Sequence, residues 1–85
     1  MRGAVFRYDA GVVTLVDVRA AAERIRPYIV RTPLERSAGL STLSGLDVWL
    51  KLECFQATGS FKLRGALNAL LTLPDDQQSR GVLTA

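Results

Sequence analysis

The chain has 85 residues, 48% of them apolar and 22% charged, with a net charge of +3; that is room for one small domain with a thin stability margin. One cysteine and no histidine exclude an internal disulfide, an imidazole metal ligand and a Ser-His triad. The arginines, from Arg2 to Arg80, alternate with acids from Asp9 onward without a run of five like charges, which argues against a nucleic-acid partner.

Residues 1–13 show no period and read as a poorly ordered leader. Arg7 and Asp9 interrupt every apolar stretch there, so neither a signal peptide nor a membrane span is expected, and the cytosol is the expected compartment. Thr14 suits an N-cap with Asp17 three positions on, and Leu15, Val18, Ala22 and Ile25 recur at helical spacing; the pattern predicts a helix ending near Pro27. Arg31 to Leu34 holds a proline that favours an extended connector. Ser37 caps a short second helix over 38–43, stopped by Ser44-Gly45. Leu46, Val48, Leu50 and Leu52 alternate with Asp47, Trp49, Lys51 and Glu53, the period of a strand, which puts Lys51 and Glu53 on an outward face as a solvated charge pair.

Cys54 to Gly59 reads as a loop, with Cys54 a small buried filler. Ser60 caps a third helix running to Leu71, with Leu63, Leu67, Leu70 and Leu71 as its buried stripe and Pro74-Asp75-Asp76 as its end. Residues 81–85 read as the opening of a second strand. Strand, helix and strand are the grammar of a parallel βαβ unit, whose sheet needs cover on both faces; three helices with one complete strand and the start of a second describe part of a larger α/β domain.

The stretch that carries chemistry runs from Lys51 to Asn68. Lys62 sits in the first turn of a helix, where the positive end of the dipole and partial burial both disfavour an ammonium. A neutral amine is the form that attacks a carbonyl. Gly59 can take a dihedral closed to other residues, and Ser60 can fix the helix start and hence the direction of Lys62. The same residues are also explained by helix-start rules alone, with Lys62 a solvated surface lysine. Phe61 likewise has an ordinary core reading.

Gly59-Ser60-Phe61-Lys62-Leu63-Arg64-Gly65-Ala66, with Lys51-Leu52-Glu53 and Gln56 before it and Asn68 after it, resembles the cofactor-attachment segment of the threonine/serine dehydratase family, which includes serine racemase. Ile25 to Leu34 is similar to the stretch those enzymes place before their first strand, so the resemblance spans residues 13–85. It implies the tryptophan-synthase-β-like fold, with 14–85 as an incomplete N-terminal part of the domain. It also implies pyridoxal 5'-phosphate as cofactor, bound covalently to Lys62, with Phe61 near the ring and Ser60 and Asn68 steadying the helix that aims the lysine. The implied reaction converts L-threonine or L-serine to a 2-oxo acid and ammonia, with Lys62 taking the α-proton. Full-length relatives imply a homo-oligomer; no metal ligand set is visible. In the family a Ser-Ser-Gly-Asn-His loop follows the strand that resembles 81–85, and a phosphate-cradling glycine loop lies further on. This chain alone is therefore expected to be inactive. The alternatives are a non-catalytic interaction module and a related reaction, racemisation or β-replacement.

Overall fold

The computed structural model of the chain describes residues 12–84. Most of the leader expected over 1–13 thus lies outside the described residues, and Val12 and Val13 carry no regular structure. The described chain divides into two compact units, one of the residues up to Tyr28 together with those from Arg64 onward, the other Ile29–Leu63.

In the first unit, α1 (Leu15–Ile25) starts where the sequence says it should. Asp17 N–H donates to Thr14 Oγ1 at 3.2 Å, while Thr14 N–H and Oγ1 donate to Asp17 Oδ2 at 2.8 and 2.9 Å, a reciprocal capping box. The backbone bond from Thr14, then the bond from its hydroxyl, holds the Asp17 carboxyl below its ordinary value of 3.8. A 3-10 turn, Arg26–Tyr28, closes α1 at Pro27, which has no N–H to continue the ladder. The bulk of α3 (Lys62–Leu71) belongs to this unit, and Arg24 Nη1 on α1 donates to Asn68 Oδ1 on α3 at 2.5 Å.

A fourth helix, α4 (Asp75–Arg80), follows where the sequence suggested only a stop. Pro74 does end the α3 region, yet it also opens α4: Gln77 N–H donates to the Pro74 carbonyl at 2.9 Å, and Asp75 and Asp76 sit in a first turn whose dipole favours acids. Arg80 pairs with Asp76 one turn away at 3.0 Å.

The second unit contains α2 (Ala38–Ser44), with Ser37 Oγ accepting Leu40 N–H at 3.2 Å and Gly45 closing the helix in the left-handed region at φ 73°. Its sheet differs from the expected parallel unit. β2 is confined to Trp49–Lys51 and pairs antiparallel with β1 (Leu34–Arg36), in the register Leu34 with Lys51, Glu35 with Leu50 and Arg36 with Trp49. The pairing continues one bond beyond each end, from Ser37 N–H to Val48 C=O and from Leu52 N–H to Pro33 C=O. Val48 N–H turns instead to Ser41 Oγ at 2.9 Å, which halts the ladder at Trp49 and explains why Ser41 is buried. Residues 82–84 form no strand, since a strand exists only as a ladder with a neighbour.

Burial is sparse. Among the described residues Ile25, 5% exposed, is the only buried apolar side chain. The expected stripes are incompletely covered: Leu15, Val18 and Leu70 are exposed, and Leu63, Leu67 and Leu71 half-buried. An α/β piece of this size lacks the second layer that would cover both faces of its elements. Among the described residues no helix is long and apolar enough to cross a membrane.

Candidate active site

Lys62 is the first residue of α3, as the sequence places it. Its own N–H, one of the groups a helix start leaves without an internal partner, donates to Ser60 Oγ at 3.3 Å. Ser60 thus fixes the helix start from two positions upstream. Lys62 is exposed rather than partly buried. Phe61 is 71% exposed, which removes its core reading within these residues.

The approach to Lys62 is a hydrogen-bonded turn. Gly59 N–H donates to Gln56 C=O at 2.8 Å with Gly59 at φ 77°, a conformation other side chains rarely adopt, although a Cβ there would meet open space. The dihedral at 59 is by itself sufficient reason for a glycine there.

Sequence reasoning missed what lies behind that turn. Gln56, only 4% exposed, uses its whole amide: Oε1 accepts from Val30 N–H at 2.7 Å and Ala57 N–H at 3.1 Å, and Nε2 donates to Val30 C=O at 2.9 Å and Glu53 Oε2 at 3.3 Å. Two donors and two lone pairs are the full capacity of the group. Thr32, 3% exposed, donates from Oγ1 to Glu53 Oε2 at 2.8 Å, and Lys51 Nζ donates to Thr32 C=O at 2.5 Å. Lys51 and Glu53 are therefore not a merely solvated pair: both are built into a part-buried network joining the segment 30–32 to the 3-10 turn Glu53–Phe55 and its successor. The spacing of Glu53 and Gln56, three apart after a strand, signals their contact with each other but not their partners at Val30 and Thr32. Cys54, expected to be buried, is exposed on that turn.

The two lysines of the sequence are consequently unlike. Lys51 Nζ is tied to a carbonyl, whereas Lys62 Nζ has no hydrogen-bond or ion-pair partner among the described residues. An unpaired amine at a fixed helix start suits covalent attachment of an aldehyde cofactor, so Lys62 fits that group, whereas Lys51 would first have to give up its bond to Thr32 C=O. Among the described residues no group of three or more His, Cys, Asp or Glu could hold a metal ion.

Comparison with known proteins identifies the family and the fold. The family model described as pyridoxal-phosphate dependent enzyme matches residues 25–85. A serine racemase of Arabidopsis thaliana is 44% identical over 70 residues, 82% of this chain and 21% of that protein. A catabolic L-threonine dehydratase of Staphylococcus aureus is 46% identical over 77 residues, 89% of this chain and 22% of that protein. The solved structure of maize serine racemase superposes with a TM-score of 0.65 at 45% identity, covering 76% of this chain and 20% of that one. The mixed α/β architecture is thus that of part of the tryptophan-synthase-β-like fold, and the chain spans about a fifth of the length of the relatives it matches.

Proposed function

The chain belongs to the family of pyridoxal-phosphate dependent enzymes, and on that premise we propose that it is part of a cytosolic dehydratase acting on threonine or serine, with Lys62 as the lysine that holds the cofactor. The observation that carries this reading is the contrast between the two lysines, Lys51 engaged on the Thr32 carbonyl and Lys62 free at the start of α3. The likeness to a threonine dehydratase supports the choice of reaction.

When bound, pyridoxal phosphate withdraws electrons from the α-carbon of an amino acid joined to it. The residues of this chain bind and orient. Lys62 Nζ holds the cofactor covalently and, as the free amine, accepts the Cα proton of the substrate. Ser60 and Gly59 fix the position from which Nζ reaches. Phe61 offers an exposed ring on which the cofactor can pack. Loss of the β-hydroxyl and hydrolysis then yield a 2-oxo acid and ammonia. Because Lys62 and Phe61 are exposed, these residues alone do not exclude water from the reaction, and the 85-residue chain by itself is proposed to be inactive.

A second reading, racemisation of serine by proton transfer at the same Lys62, draws support from the likeness to two serine racemases. One assay separates the readings. In the full-length protein, 2-oxobutanoate release from L-threonine that disappears in Lys62→Ala is the result expected for a dehydratase. D-serine formation from L-serine without 2-oxo acid release would favour the racemase, and full activity in Lys62→Ala would overturn both.

A further inference from the structure

Gln56 is connected to Lys62 within one unit of the fold by two hydrogen bonds joined through the Gly59–Ser60 peptide link. Its side-chain amide pairs with both the N–H and the C=O of Val30, as a neighbouring strand residue would. Its main-chain carbonyl accepts Gly59 N–H at 2.8 Å and closes the turn. The next residue, Ser60, accepts Lys62 N–H. A buried amide with all four of its bonds made is a rigid anchor, because any rotation about its last torsions breaks more than one of them.

We propose that Gln56 is a positioning residue for Lys62: by clamping the 53–57 segment to Val30 it fixes the turn that ends at Gly59 and so sets where α3, and the lysine amine at its start, begins. Glu53 is the clamp's second point, accepting from both Gln56 Nε2 and Thr32 Oγ1. The role in cofactor binding rests on the assignment of Lys62 above; the role in fixing the turn does not. Gln56 touches neither cofactor nor substrate in this account and acts only through the backbone from Val30 to Lys62.

The test uses the intact protein and two variants. Gln56→Met keeps length and approximate volume but removes all four bonds. The expected result is amide hydrogen exchange at Gly59 and Lys62 faster by about tenfold or more, with exchange inside α1 unchanged. Alongside it, the preference for Lys62 over Lys51 in borohydride trapping of pyridoxal phosphate falls toward parity. Gln56→Glu keeps acceptors for Val30 and Ala57 but not the donors, and protonation restores one donor. Protection at Gly59 should therefore recover as the pH falls, relative to the unsubstituted protein. This acid recovery decides the matter should Gln56→Met lose α1 protection as well, and a side chain acting only by its bulk would not produce it. Unchanged exchange at Gly59 in Gln56→Met, or no acid recovery in Gln56→Glu, overturns the positioning role. Absence of any Lys62 preference in the unsubstituted protein overturns the cofactor assignment instead, and the exchange data still decide whether Gln56 holds the turn.

Discussion

The two units of the chain are held by different physics. Among the described residues, the unit of α1, α4 and most of α3 has one buried side chain, the apolar Ile25, whereas the unit Ile29–Leu63 buries Thr32, Ser41 and Gln56, each polar and each hydrogen-bonded. Apolar burial is non-directional and tolerates small rotations; hydrogen bonds fix angle and distance. The unit that carries the approach to Lys62 is the directional one, as a site needing a defined amine position requires.

The contrast can be broken by substitutions of opposite kinds. The largest effect is expected in the apolar unit: Ile25→Ala should cost about 2–5 kcal/mol through lost burial and the cavity left behind, read by urea unfolding of the intact protein. A loss within about 0.5 kcal/mol would show that Ile25 does not anchor its unit. Next comes Thr32→Val, which keeps shape and removes a donor to the half-buried Glu53 carboxylate; about 1–3 kcal/mol is expected. A neutral outcome there would mean that shape, not hydrogen bonding, holds the second unit.

Smaller is Thr14→Ala, at about 1 kcal/mol for loss of a cap. It also has a titration signature. Asp17 titrates below its ordinary 3.8 in the folded chain, so the cap contributes above that value and is lost as the pH falls through the depressed one. Thr14→Ala should move the Asp17 midpoint, followed by NMR, up toward 3.8; an unmoved midpoint would deny the capping box. Asp47 behaves alike in the other unit, held down first by Arg36 Nε at 2.6 Å and then by Trp49 Nε1 at 3.2 Å. The smallest effect belongs to the exposed Arg26–Glu23 pair, whose removal should change stability by less than about 0.5 kcal/mol.

Sequence reading succeeded where a local rule decides the outcome. Thr14 with Asp17, Ser37, and Gly45 each act within one turn of chain, and all three cap as their residue types dictate. Lys62 was likewise placed at a helix start by the Gly59-Ser60 signal alone. The reading failed where a partner distant in sequence decides. Residues 34–36 are too few to show a period, so the sequence marks only an extended connector over Arg31 to Leu34, and β1 is defined by its pairing with β2. The alternation over 46–52 predicts a longer, one-sidedly buried strand, but Ser41 takes Val48 N–H and β2 is confined to Trp49–Lys51, exposed on both faces. Pro74 served both as a stop and as a start, and only the start was invisible. Gln56 lies 26 residues from the backbone group it pairs with, a separation that no pattern in one sequence reveals.

The central claim, that Lys62 and not Lys51 is the lysine of the cofactor, meets its most direct test in one mapping experiment. The intact protein is loaded with pyridoxal phosphate, reduced with borohydride and digested, and the modified peptide is identified by mass. Modification confined to Lys62 is the predicted result. Modification of Lys51, or of both lysines equally, would contradict the account.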